Sequence, residues 1–151
     1  MKISEHFEDW ELLSPRILEQ IAKSKVGATP LWYISTKQIE FLEYIRSYFS
    51  KPVHVNYKDT LVRRGICTEQ ECIEADRSGV MLSDGRKYTL TQHCHLGAFD
   101  ITIDDVTPNQ LATVIRIIAT RFGIGGLGVS VKDNFCHVDF RGGRELVEWV
   151  Y

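Results

Sequence analysis

The 151-residue chain has no excess of basic residues, no long apolar run and only four cysteines. Its 18 lysines and arginines are outnumbered by 20 aspartates and glutamates, which gives a formal net charge of −2. A nucleic-acid-binding protein usually carries surplus positive charge to neutralise phosphates. Because that surplus is absent, and no basic patch with interleaved aromatic residues occurs, we expect no nucleic-acid partner.

The apolar segments all fall short of the ~20 residues that cross a bilayer, so no membrane span is expected. Residues 1–10 (MKISEHFEDW) are mixed polar and charged, unlike a signal peptide, and this predicts synthesis in the cytoplasm. The cysteines are then expected to be reduced thiols. About 150 residues with 44% hydrophobic content predict one domain with a substantial core. We also expect a monomeric protein.

Apolar residues recur at helical spacing in three segments, 14–27, 35–51 and 107–121, and the last opens with the capping-box pair Thr107 and Gln110. Alternation predicts strands at 53–57, 99–103, 129–131 and 136–140. This mixture predicts an α+β domain over 1–151, with an N-terminal helical extension (1–33) and a core (34–151). Residues 58–87 lack a clear pattern and are predicted to be a long loop of the kind that often carries function.

The glycine cluster at 123–128 formally satisfies the G-x-G-x-x-G pattern of dinucleotide sites. In such sites a strand precedes the glycines and a helix follows them, so that the helix N-terminus faces the pyrophosphate. Here a predicted helix precedes and a strand follows. The glycines are therefore expected to end the helix and form a tight turn.

Histidines and carboxylates cluster in two segments. His93 is followed by Asp100 seven residues later, and small residues between them permit a turn; His137 and Asp139 share one face of a predicted strand. Neutral imidazoles with one carboxylate are typical ligands of a catalytic divalent metal, above all zinc. The sequence thus indicates a metal site, the alternative being unrelated polar residues that are each satisfied locally.

A second zinc arrangement uses only cysteines and a neighbouring histidine. Its ligands would be Cys67, Cys72, Cys94 and His95. Four residues separate the first pair and none separates the second, which suits the usual zinc knuckle poorly. This structural site remains a rival interpretation.

Three segments together resemble the zinc D-Ala-D-Ala carboxypeptidase family, in particular small murein peptidases that are often encoded by phages. They are residues 91–101 (TQHCHLGAFDI), 123–125 (GIG) and 135–142 (FCHVDFRG). The resemblance extends upstream to 53–56 (VHVN) and 63–65 (RRG), and it covers about residues 34 to 149. It implies a small antiparallel sheet flanked by helices, as in the hedgehog signalling domain and the lysostaphin-type endopeptidases.

The resemblance also implies site residues. His93, Asp100 and His137 would bind Zn²⁺, with His95 as an alternative ligand. Arg64, or alternatively Arg63, would bind a substrate carboxylate.

The general base is left open between two aspartates. Relatives often carry an acidic residue three positions before the last histidine, where this chain has Asn134. Asp133 or Asp139 would then accept the proton, or Asp139 would act from the second coordination shell.

The implied activity is hydrolysis of an amide bond in peptidoglycan stem peptides by metal-activated water. The bond would be D-Ala-D-Ala or of the L-Ala-D-Glu type, and the protein would act at the cell wall after release or as part of a phage particle. The alternative is a non-catalytic module that keeps the fold and binds cell wall or other virion proteins.

Overall fold

The computed structural model describes residues 1–55, 66, 68, 71, 93, 97–143 and 145–151. It shows the predicted α+β class, with helices and a five-stranded sheet in a single domain. The helices are α1 (Asp9–Leu12), α2 (Pro15–Lys23), a 3₁₀ turn (Pro30–Trp32), α3 (Thr36–Phe49) and α4 (Pro108–Phe122). The strands are β1 (Val53–His54), β2 (Ala98–Ile103), β3 (Gly126–Ser130), β4 (Phe135–Asp139) and β5 (Val147–Val150).

The three helices expected from the sequence are present, and side-chain caps define their starts. Ser14 accepts a hydrogen bond from the backbone N–H of Ile17 at the start of α2. A capping box is present at the N-terminus of both α3 and α4. The one at α4 is formed by Thr107 and Gln110, as the sequence predicted. Helix α4 ends where Gly123 adopts a left-handed φ of 72°, which glycine tolerates without steric cost. Helix α1 and the 3₁₀ turn were not predicted, because they are too short for apolar spacing to show.

The strands lie in the order β1-β2-β4-β3-β5. The first four pair antiparallel, whereas β5 pairs parallel to β3. The sheet is therefore mainly antiparallel, as expected, with one parallel pair at the β5 edge. Gly126 pairs with both Asp139 at the end of β4 and Val147 at the start of β5, so β5 runs in the direction of β3 and opposite to β4.

Strand boundaries also differ from the prediction. Strand β3 begins at Gly126, three residues before the predicted 129–131, so part of the glycine cluster is strand rather than turn. Strand β1 ends at His54, and residues 56–57 of its prediction lie outside the described residues. Strand β5 was not predicted. The predicted long loop at 58–87 also falls outside the described residues, apart from 66, 68 and 71.

The two faces of the sheet have different chemistry. One face carries aliphatic and aromatic residues, including Ile101, Leu127 and Val138. These form the hydrophobic core together with Phe41 of α3 and Ile115 of α4. The other face carries the polar members of the alternating pattern, among them Asp100 and His137, which are also buried. The predicted separation of polar and aliphatic side chains on β2 is thus confirmed.

Residues 1–33 pack into this same core. Phe7, Leu12 and Ile17 are each at most 1% exposed and belong to the core cluster. The backbone N–H of Ser14 donates to the carbonyl of Ile66, and the N–H of Ile66 donates to the carbonyl of Leu12. The N-terminal helices are thereby joined to the rest of the domain. Among the described helices, none combines the length and apolar character that crossing a bilayer requires.

Candidate metal centre

Three residues from distant parts of the chain converge on the polar face of the sheet. Asp100 on β2 and His137 on β4 are direct cross-strand partners. His93 precedes β2 and reaches the same point, with its imidazole 4.9 Å from that of His137 between ring centroids. All three side chains are buried, and one ligand atom from each lies within 4.8 Å of the other two. The described residues thus form a group that could hold a metal ion.

The interatomic distances suit a tetrahedral ion. Nδ1 of His137 lies 2.9 Å from Oδ1 of Asp100, and Nε2 of His93 lies 3.4 Å from the same oxygen. Zinc bonds of 2.0–2.1 Å in tetrahedral geometry place ligand atoms about 3.3 Å apart. Two imidazoles and one carboxylate also leave one coordination position open, as catalytic zinc sites do.

Electrostatics favour an anionic Asp100. Burial alone would raise the pKa of this carboxyl, but hydrogen bonds with His137 and His93 hold it well below its usual range. Burial would likewise lower the pKa of His137, yet hydrogen bonds and negative charge from Asp100 and Asp139 raise it. Both shifts show that positive charge is favoured beside Asp100. A divalent ion would supply that positive charge permanently.

Asp139 supports His137 from the side opposite to Asp100. Its Oδ2 lies 3.6 Å from Nε2 of His137, and its side chain is fully buried. Arg141 donates from both Nε and Nη2 to the two carboxylate oxygens, at 2.7 and 2.5 Å. Burial would raise the pKa of Asp139, but the nearby His137 imidazole and the hydrogen bonds from Arg141 lower it to about 2. This is the carboxylate–histidine arrangement that orients metal ligands in many proteins.

Two glycines of β3 make room for this arrangement. A Cβ at Gly126 would lie 2.2 Å from Oδ2 of Asp139, and a Cβ at Gly128 would lie 2.6 Å from the Trp149 indole. Neither glycine has a positive φ, so side-chain space rather than backbone conformation requires glycine there. Sequence analysis placed these glycines in a turn. The signal for their role is their period-two spacing, which puts both on one face of a strand.

An aromatic group borders the candidate metal centre on the β5 side and was missed by sequence analysis. Trp149 lies beside His137, with ring centroids 5.4 Å apart, and Tyr151 packs edge-on against Trp149. Burial of the hydroxyl end raises the pKa of Tyr151; a hydrogen bond with Trp149 opposes this, and the charges of Asp100 and Asp139 add to it. Tyr151 is 60% exposed, and its ring lies beside Gly128, where an added Cβ would lie 2.8 Å from Cε2 of the tyrosine.

Of the remaining predicted residues that the structure describes, Asp133 is not part of this group. Asp133 is exposed in the β3–β4 hairpin, where its carboxylate accepts a hydrogen bond from Ser130. Ser130 pairs with Phe135, two residues along β4 from His137. The predicted arginines Arg63 and Arg64 lie outside the described residues.

All four ligands of the rival zinc site lie outside the described residues, namely Cys67, Cys72, Cys94 and His95. Cys136 is buried with a free thiol, in agreement with the expectation of a reduced cysteine at this position. Burial raises the pKa of this thiol to about 12, so it is protonated at neutral pH. Its side chain lies on the core face and donates to the carbonyl of Pro108.

The metal-free protein should lose stability in acid. Asp139 and Asp100 have lowered pKa values, so their stabilisation is complete above the unfolded pKa near 3.8 and is lost as the pH falls. For Asp139 the loss should occur between about pH 4 and pH 2. The raised pKa of His137 has the opposite effect on stability. The stabilisation that this histidine provides is complete below its unfolded pKa of 6.5 and is lost as the pH rises through its pKa in the folded protein.

Denaturant unfolding of the chelator-treated protein at a series of pH values measures this dependence. Asp139→Asn should flatten the acid part of the curve, whereas Asp105→Asn, at an exposed surface position, should not. An unchanged acid dependence in Asp139→Asn would contradict the electrostatic role of this carboxylate.

The structure places the chemistry-bearing residues of the motif resemblance, His93, Asp100, His137 and Asp139, together on one face of the sheet. The resemblance itself remains a prediction based on those motifs. When the chain is compared with protein-family models, with curated proteins and with solved structures, no match is found.

Proposed function

We propose that His93, Asp100 and His137 hold Zn²⁺ and that the protein hydrolyses an amide bond in peptidoglycan stem peptides. The observation that carries the proposal is the buried group of two imidazoles and one carboxylate, built from the residues that resemble the motifs of zinc D-Ala-D-Ala carboxypeptidases. The negative charge of Asp100 supports a cation at this position.

The donor set favours zinc over magnesium or calcium. Imidazole nitrogens are common zinc ligands, whereas magnesium and calcium prefer oxygen ligands. When bound, zinc supplies a Lewis acid that polarises a carbonyl and lowers the pKa of water from 15.7 to about 7.

The protein residues orient the ligands. Nδ1 of His137 faces Asp100 and its Nε2 faces Asp139, so the latter carboxylate fixes the tautomer in which Nδ1 is free to bind a cation. A pKa of about 2 makes Asp139 a weak proton acceptor at neutral pH, which favours this orienting role over that of general base.

Two roles are proposed from the resemblance alone. Asp133 is the remaining base candidate, and Arg64, or alternatively Arg63, is proposed to bind the free carboxylate of the substrate. A guanidinium suits this task because its N–H donors match two carboxylate oxygens in one plane.

Digestion of purified peptidoglycan tests the activity. The zinc-loaded protein should release fragments whose masses report cleavage at D-Ala-D-Ala or at an L-Ala-D-Glu type bond, and a chelator should stop their release. Addition of zinc to the chelated sample should restore it. If no peptide bond is cut, or if chelation changes nothing, the proposed hydrolysis is wrong.

A non-catalytic wall-binding or virion module is the second candidate. The observation that favours it is Asn134, which occupies the position where relatives often carry an acidic residue and adopts a left-handed φ of 54° in the hairpin. A folded protein that sediments with peptidoglycan but contains no zinc after purification would support the module. Stoichiometric zinc with peptide cleavage would support the enzyme, which would act at the cell wall after release or within a phage particle.

A further inference from the structure

We propose that the indole of Trp149 forms a wall of the substrate cleft beside the metal centre, against which the substrate residue next to the scissile amide packs. This inference rests on the proposed function and specifies how the site would hold its substrate. It assigns a binding role to a residue of β5, outside the histidines and carboxylates considered so far.

The sheet places the indole in line with the metal ligands. Asp100 pairs with His137, His137 with Gly128, and Gly128 with Trp149, so the four residues form one row across β2, β4, β3 and β5. Side chains of one such row project from the same face of the sheet. Since Gly128 has no side chain, the indole reaches across β3 to within 5.4 Å of the His137 ring centroid.

The indole is held from three sides. A Cβ at Gly128 would lie 2.6 Å from both Cε2 and Nε1 of Trp149, so the indole lies directly against this backbone. Tyr151 packs on it with ring centroids 6.2 Å apart, and the Arg141 guanidinium lies 5.8 Å from the indole centroid. An aromatic side chain fixed in this way binds a ligand at little further cost in conformational entropy.

Packing of the hydrophobic core does not account for this position. The core of the described residues lies on the opposite face of the sheet and does not include Trp149. Its neighbours on β5, Val147 and Val150, are 53% and 78% exposed. Trp149 therefore adds apolar surface at a polar, charged centre, which is the usual composition of a ligand cleft.

The proposed substrate offers matching surfaces. Residues beside a D-Ala-D-Ala bond carry methyl groups and planar amides, and an L-Ala-D-Glu bond has a methyl group on one side. Methyl groups and amide planes pack well on an indole, which offers a large apolar area with few rotatable bonds.

Peptide binding and cleavage by four variants of the zinc-loaded protein test the proposal, with the stem pentapeptide L-Ala-D-Glu-L-Lys-D-Ala-D-Ala as probe. Trp149→Ala should raise Kd and KM by about tenfold or more, the range for loss of a buried aromatic contact, with zinc content unchanged. Trp149→Phe should stay within about threefold of the parent protein, since a ring remains. Gly128→Ala should raise Kd and KM to the same extent as Trp149→Ala, because the added Cβ displaces the indole. Val150→Ala, at an exposed position on the same strand, is the control and should have no effect.

Fluorescence provides a readout that does not depend on turnover. The chain has three tryptophans, and Trp10→Phe with Trp32→Phe leaves Trp149 as the only indole. Addition of the pentapeptide should then change its emission, with a midpoint that matches the Kd.

The outcomes separate the two proposals. If Trp149→Ala and Gly128→Ala bind the peptide as tightly as the parent protein, the wall is wrong and the hydrolase proposal stands. Loss of zinc in Trp149→Ala overturns the wall in favour of a shield around the metal. If the parent protein binds zinc but neither binds nor cleaves the peptide, the proposed function fails and the wall fails with it.

Discussion

Replacing His137 with alanine should abolish metal binding and peptidoglycan hydrolysis together. The substitution removes one of three ligands and leaves Asp100 without the partner 2.9 Å from its Oδ1. We expect zinc to fall from about one ion per chain to near zero, and the rate of hydrolysis to fall by more than the roughly 10–100-fold that loss of the partner of a ligating histidine costs. Metal analysis after dialysis and mass analysis of digested peptidoglycan measure the two effects.

A remote histidine provides the control for this substitution. His6 pairs with Glu43 through a contact of 2.7 Å and is not part of the group around Asp100. His6→Ala should keep both zinc and activity. If His137→Ala keeps stoichiometric zinc, the ion is bound elsewhere, and the site with Cys67, Cys72, Cys94 and His95 becomes the better interpretation.

Metal removal should also distinguish His137→Ala from a merely unstable variant. The parent protein should gain stability from zinc by mass action, because the ion binds the folded state only. The variant should unfold at the same denaturant concentration with and without zinc. A zinc-dependent shift in the variant would contradict the ligand role of His137.

The faces on which the candidate ligands lie were predictable from local rules, whereas their convergence depends on the pairing of β2 with β4. Alternation along one strand fixes which residues share a face, and it placed His137 and Asp139 together. The spacing of His93 and Asp100, with Gly97 between them, was compatible with a turn in the sequence. Both patterns lie within short segments, so they could be recognised from the sequence alone.

Features that depend on distant contacts were not predictable in the same way. Strand β5 is short, and its burial pattern is mostly exposed, so no alternation marks it. It forms because β3 offers a free edge, with Gly126 facing Val147 and Gly128 facing Trp149. The role of Trp149 follows only once this pairing is known.

The ion pair between Asp139 and Arg141 was likewise not predictable from the sequence alone. The motif places Arg141 two residues after Asp139, on the same side of an extended chain, but spacing alone does not show that both N–H groups bind that carboxylate. Nor does it show that Gly126 must lack a side chain. The structure adds the physical reason, which is the volume of the Asp139 carboxylate above the β3 backbone.

Gly126→Ala should weaken metal binding without touching any ligand. The new Cβ would lie 2.2 Å from Oδ2 of Asp139, and the φ angle at this position accepts alanine. The carboxylate must move, which disturbs both its ion pair with Arg141 and its contact with Nε2 of His137. We expect zinc affinity to fall by about 10–100-fold, the usual cost of losing the partner of a ligating histidine. Competition with a chromogenic chelator measures the affinity.

A double mutant isolates the cause of that loss. Asp139→Ala removes the atoms that the Cβ would strike, and the three closest atoms to that Cβ all belong to the Asp139 carboxylate. Gly126→Ala should therefore cost zinc affinity and folding stability in the parent protein but add almost nothing in the Asp139→Ala background, a strongly non-additive pair. Additive effects would show that Gly126 is needed for the backbone of β3 instead.

Because Gly128→Ala displaces Trp149 rather than Asp139, it should leave zinc affinity unchanged. Two alanine substitutions that are two residues apart on one strand should therefore separate metal binding from substrate binding.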